Sequence, residues 1–176
     1  IDAAQVNALI TELGATEKQA KFALGRALQR TAATLRRMSE RGLKSELDLK
    51  KAAYLRKRLK SVRFRSGSFQ GMKLWYGLND MPVSALRGAV SKERDGARFA
   101  GKAGSKSFKS GFLAKSTRGF GRTIMMRQGK ARLPVLEAEM PVKDRMDVFV
   151  EDNIFVQAEE IFWKHFERDM TARAKF

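Results

Sequence analysis

The chain has 176 residues, 43% of them apolar and 9% aromatic, which suits one domain with its own core and argues against wholesale disorder. Its 36 Lys+Arg against 19 Asp+Glu give a net charge of +17, an excess that favours polyanionic partners or charge-driven assembly. It has no cysteine, which excludes disulfides, thiolate metal sites and a Cys nucleophile, and no apolar run reaches the roughly 20 residues of a membrane span.

The charge is polarised. Residues 1–136 carry 30 bases and nine acids, whereas residues 137–176 carry six bases and ten acids. Nothing resembles a signal peptide, and synthesis in a reducing cytoplasm is the expectation.

In chain order, Val6, Leu9, Ile10 and Leu13 suggest a short N-terminal helical segment. Thr16-Glu17-Lys18-Gln19 has the form of a capping box. Ala20, Leu24, Ala27, Leu28, Thr31, Leu35 and Met38 then recur at helical spacing up to Gly42, which reads as the stop. Arg26, Arg30, Arg36, Arg37 and Arg41 make the other side basic. Ser45, Glu46 and Asp48 look like a second helix start, with Leu47, Ala52, Leu55 and Leu59 carrying it to about Lys60.

The apolar period changes to two at Val62–Arg65, predicting a strand, and Met72–Gly77 predicts the next. A turn at Asn79–Pro82 precedes a strand expected over Val83–Val90 and a charged turn at Ser91–Gly96. Residues 96–136 hold ten Lys/Arg, seven Gly and no acid. There Phe108–Ala114 and Arg122–Arg127 predict a hairpin, while Gly96–Ser107 reads as mobile. Leu133–Met140 predicts a further strand, and Val142 to Ala174 one long amphipathic helix.

These elements predict an α+β fold, an antiparallel sheet packed by N-terminal helices and a long C-terminal helix, with a long basic Gly-rich loop or hairpin. Residues 1–176 read as a single domain with a helical part (16–60), strands (61–95), the basic extended segment (96–132), a strand (133–141) and the terminal helix (142–174).

Catalytic signals are weak. His165 is the sole histidine, on an amphipathic helix between Lys164 and Phe166, and reads as packing or surface. Gly96–Ala103 nearly fits a P-loop, but Ala103 lacks the hydroxyl that would ligate Mg²⁺. Glu46, Asp48 and Lys50 have the residue types of a metal-dependent nuclease yet sit where acids ordinarily cap a helix. No enzyme, metal site or cofactor is therefore expected. Lysines and arginines in Gly-rich sequence suit phosphate contact, and Phe99, Phe108, Phe112 and Phe120 are either stacking platforms or hairpin core.

One resemblance spans about Thr16 to Met170. Leu55-Arg56-Lys57-Arg58-Leu59-Lys60 precedes a basic strand, and Asn79-Asp80-Met81-Pro82-Val83 follows. Then come Phe108-Lys109-Ser110-Gly111-Phe112-Leu113, Gly129-Lys130-Ala131-Arg132-Leu133-Pro134-Val135, Met140-Pro141-Val142 and a terminal helix. This order resembles the minor tail protein Z family of tailed phages. The resemblance implies a structural virion protein for tail completion, acting at the head-proximal end of the tail or neck and enabling head–tail joining. It implies a homo-oligomer, expected to be a hexameric ring, with other tail or neck proteins (tail tube or terminator, connector) as partners and no membrane. Lys102, Lys106, Lys109, Lys115, Arg118, Arg122, Arg127, Lys130 and Arg132 are the candidate contacts to genomic DNA in the channel or to a neighbouring ring. The first four are candidates to line a lumen. The alternative is a soluble, non-specific nucleic-acid-binding protein.

Overall fold

The computed structural model describes residues 3–14, 16–66, 69–116, 121–129 and 131–174. Its helices are α1 (Ala3–Glu12), α2 (Glu17–Glu46), α3 (Ala53–Arg56), α4 (Lys143–Asn153) and α5 (Ala158–Ala174). Its strands are β1 (Leu59–Ser66), β2 (Phe69–Tyr76), β3 (Met81–Pro82), β4 (Gly88–Glu93), β5 (Gly96–Gly101), β6 (Gly104–Lys109), β7 (Phe112–Lys115), β8 (Arg122–Arg127), β9 (Val135–Glu137) and β10 (Glu139–Met140). The fold is α+β, as the sequence predicts, with several small antiparallel sheets in place of one. No helix among the described residues is long and apolar enough to cross a membrane.

The chain gathers into two compact units, each assembled from separate segments. The first comprises Ile1–Ser39, Leu59–Tyr76 and Val150–Phe176. Its long helix starts at the expected capping box. The Thr16 backbone N–H donates to Gln19 Oε1 at 2.8 Å, and the Gln19 N–H donates to Thr16 Oγ1 at 3.3 Å. Ala20, Ala23 and Ala27 form a buried stripe on α2. Phe162, Phe166 and Met170 of α5 fill the space beside these small side chains. The two phenylalanine rings stack with centroids 5.6 Å apart. Leu9, Ile10 and Leu13, from α1 and the turn after it, pack against this core. β1 and β2 form a hairpin in full register from Leu59↔Tyr76 to Ser66↔Phe69.

The second unit comprises Glu40–Arg58 and Gly77–Phe149. Here β4–β5–β6 and β7–β8–β9 are two three-stranded meanders. They meet through β4 and β5 on one side and β7 and β8 on the other. Phe99, Phe108, Ile124 and Met125 are buried among their residues. Ala138 joins two ladders, since its N–H donates to Ile124 O at 2.9 Å and its carbonyl accepts from Val83 N–H at 3.0 Å.

Several element boundaries differ from expectation. Gly42 does not stop α2, which runs on to Glu46. A Cβ at Gly42 would lie 2.3 Å from the Phe149 ring, so the glycine makes room for an aromatic side chain. The helix expected to reach Lys60 shrinks to the four residues of α3. Asp48 adopts φ 49°, a left-handed conformation that Asp tolerates, and the backbone around it pairs sideways. Lys50 N–H donates to Ala85 O and Arg87 N–H to Asp48 O, both at 2.9 Å.

The strand expected over Val83–Val90 begins only at Gly88, because Val83–Ala85 form a 3-10 turn after Pro82. The supposedly mobile Gly96–Ser107 is strand β5, a tight turn and most of β6. Its glycines mark close approaches. A Cβ on Gly96 would lie 2.1 Å from Phe108 O, and one on Gly101 2.4 Å from Arg87 O. Leu133–Met140 divides into β9 and β10 around Ala138. The single terminal helix is broken by a 3-10 turn at Phe155–Gln157. The break buries Ile154 and sets the Phe155 ring edge-on to Tyr76, with centroids 5.8 Å apart.

Candidate functional site

The cationic segment lies in the second unit as β5 to β8 and the approach to β9, and its register separates the candidate residues. Lys102 sits in the β5–β6 turn, where Nζ donates to Ser45 O at 2.7 Å and lies 3.9 Å from Glu46 Oε2. Ser45 belongs to the last turn of α2, whose carbonyls attract cations. Arg145 reinforces this knot through Glu46 Oε1 at 3.3 Å and through the Lys102 carbonyl. The near-P-loop is thus a strand and a β-turn whose lysine is spent within the unit.

Lys106 and Lys109 point to opposite faces of β6. Lys106 shares the Phe108 side, with Nζ 5.2 Å from that ring and donating to Glu139 O at 3.4 Å. Lys109 is exposed and shares its face with Arg98, which is engaged with Glu93 and Ser105. The four candidate lumen lysines are therefore not gathered into one patch.

The β7–β8 hairpin does bring cations together. Lys115 and Arg122 lie directly opposite each other, both exposed. Facing like charges cost up to about 1 kcal/mol in a sheet, which a bound anion would relieve. Arg118, in the connection between them, lies outside the described residues, as do Phe120 and Lys130. Arg127 covers the half-exposed Phe112 ring, its guanidinium carbon 5.4 Å from the centroid. Arg132 is exposed just before β9. Phe99 and Phe108 are core residues at 1% and 5% exposure, so they cannot stack on bases.

Glu46 and Asp48 serve separate ion pairs, the latter 3.6 Å from Arg87 Nε. Lys50 Nζ donates to Ser84 O at 2.9 Å. Burial pulls the Lys50 ammonium below its ordinary range, while the carboxylate of Glu137 opposes the shift and Arg87 adds to it. Glu137 Oε1 in turn accepts from Ser84 N–H at 2.8 Å and from the Thr123 hydroxyl at 2.6 Å. Sequence reasoning missed this network, because residues 50, 84, 123 and 137 meet only through sheet topology.

It also missed Asp169, a buried carboxylate in the first unit. Arg173 Nε lies 2.8 Å away, Arg30 3.5 Å and Arg26 3.6 Å. Part of the basic face of α2 is thus an ion-pair site. The signal available was Asp169 four residues before Arg173 on one helix. Nearby His165 is held below its usual pKa, chiefly by burial and further by Arg30, Arg168 and Lys164. Comparison of the chain with family models, characterised proteins and solved structures finds no match.

Proposed function

We propose that this chain is a structural virion protein of a tailed phage, completing the tail at its head-proximal end or neck and forming a ring there that enables head–tail joining. The observation that carries the reading is the order of its motifs. Leu55–Lys60 leads into β1, Asn79–Val83 spans β3, and Phe108–Leu113 joins β6 to β7. Gly129–Val135 leads into β9 and Met140–Val142 into the last helices, in the order of the minor tail protein Z family. The charge geometry supports assembly. Lys115 and Arg122 oppose one another, and Lys109 and Arg132 are exposed, so each gains from an anionic neighbour or DNA. The test is an immunoblot of washed, density-purified particles of the encoding phage. A fixed copy number per particle is expected, and absence from washed particles would overturn the reading.

A second reading is a soluble, non-specific nucleic-acid-binding protein, favoured by the cationic β7–β8 hairpin. It requires tight binding by the isolated chain with log affinity falling steeply against log salt. With Phe99 and Phe108 buried, Phe112 is the remaining exposed aromatic of the described candidates, which favours the first reading.

A further inference from the structure

Two surfaces of the first unit complement each other. On the β1–β2 hairpin, strand alternation puts Lys60, Val62 and Phe64 on the same face as Lys73 and Trp75. Met72 and Leu74 alternate to the other side, where they line an apolar pocket with Leu28, Leu35 and Phe162. The first face is open to solvent: Val62 is 52% exposed, Phe64 42% and Trp75 47%. Lys60 Nζ lies 5.4 Å from the Trp75 ring centroid. Residues 49–79, which contain the hairpin, hold nine Lys/Arg and no Asp/Glu. An exposed apolar face ringed by one sign of charge marks an interaction surface.

The second surface is a groove of about 1230 Å³ between α1 and α5. Leu9 and Trp163 supply its apolar lining, and Glu12, Glu159, Glu160 and Glu167 its acids. Lys164 and Arg168 also line it, leaving an acidic excess. The indole N–H of Trp163 donates to Glu159 at 3.4 Å, which holds the ring against the acidic wall. The lengths match as well. Eight residues of strand span about 26 Å at 3.3 Å per residue, and the 17 residues of α5 span about 26 Å at 1.5 Å per residue.

We propose that the exposed face of the β1–β2 hairpin docks in the α1–α5 groove of a second copy of this chain. The apolar side chains meet Leu9 and Trp163, and Lys60 and Lys73 meet the groove glutamates. Hairpin and groove are different surfaces, so the contact is heterologous and leaves each bound copy with one of them open. Repetition then gives a ring or a filament. The contact deepens the assembly reading above and rests on it for its biological setting.

The absence of native cysteine makes cross-linking clean. Val62→Cys and Thr171→Cys, introduced together and oxidised, should give a ladder of dimers, trimers and larger species on a non-reducing gel. Either substitution alone should stop at dimers. In sedimentation velocity, Lys60→Glu/Lys73→Glu should abolish the multimer peak, as should Glu160→Lys/Glu167→Lys, and the fourfold variant should restore it. Circular dichroism checks that each variant keeps its fold. Monomeric wild-type chain at high concentration, no ladder, or no rescue in the fourfold variant would overturn the contact. So would a hairpin variant that self-associates like wild type but no longer retains single-stranded DNA, an outcome that assigns the face to nucleic acid. A monomeric chain found nonetheless in washed particles removes this contact and leaves the virion assignment standing.

Discussion

Replacing Asp169 with asparagine removes the negative charge on which three guanidinium groups converge. The Asp169 side chain is only 7% exposed. Its bond from Arg173 Nε, at 2.8 Å, is a charge-assisted hydrogen bond, worth about 1.5–3 kcal/mol. Arg30 and Arg26 stand farther off, and their side chains are 44% and 56% exposed. Solvent screens them, so each contributes about 0.2–1 kcal/mol. Asparagine keeps the shape and one acceptor but leaves three cations around a neutral group. The expected loss is about 3 kcal/mol, and for a chain of this size each kcal/mol lowers Tm by about 2–4 °C. Thermal unfolding followed by circular dichroism should therefore show a fall of roughly 6–12 °C. In 1 M NaCl, where the screening length is about 3 Å, the gap should narrow by the share that Arg26 and Arg30 supply. A variant within about 0.5 kcal/mol of wild type would refute the claim that Asp169 organises the junction of α2 and α5.

Three further substitutions probe other parts of the fold. Thr31 is buried on α2 and its hydroxyl has no hydrogen-bond partner among the described residues, so Thr31→Val should stabilise by about 1 kcal/mol in urea titration; a destabilised variant would mean that the hydroxyl is satisfied. Gly96→Ala puts a methyl group 2.1 Å from the Phe108 carbonyl, so β5 or β6 must shift at a cost of about 2 kcal/mol or more. An unchanged denaturation midpoint would contradict that packing. His165 has a lowered pKa in the fold, so the unfolded chain takes up its proton first as pH falls. Its stabilising contribution is present above the unfolded value of about 6.5 and is lost as pH drops through that value towards the folded pKa. His165→Gln should flatten stability against pH in that window, and identical slopes for the two chains would exclude the effect.

Local chemistry was legible in the sequence wherever a residue acts on its neighbours. The Thr16–Gln19 box, the alanine and leucine face of α2 and the β1 periodicity all appear where the pattern puts them. Misreadings arose where a long-range contact overrides a local rule. Gly42 looks like a stop until Phe149 is seen to occupy the space beside it. The glycines of residues 96–104 look like flexibility until Gly96 is found pressed against Phe108 O and Gly101 against Arg87 O. Leu47 and Leu55 keep helical spacing yet are buried outside one continuous helix, since burial constrains side chains and not the path between them. At the candidate site, the run of bases was visible, but its distribution over strand faces was not. That distribution follows from register: Lys106 and Lys109, three residues apart, fall on opposite sides, while Lys115 and Arg122, seven apart, face each other.

The most direct test of the tail assignment is immunogold labelling of intact particles with an antibody to this chain, viewed by electron microscopy. Tail completion predicts gold at the head–tail junction, and on separated tails at the head-proximal tip. Gold along the shaft or at the distal tip would contradict the assigned position. Failure to detect the antigen in intact or disrupted particles would contradict the virion role itself.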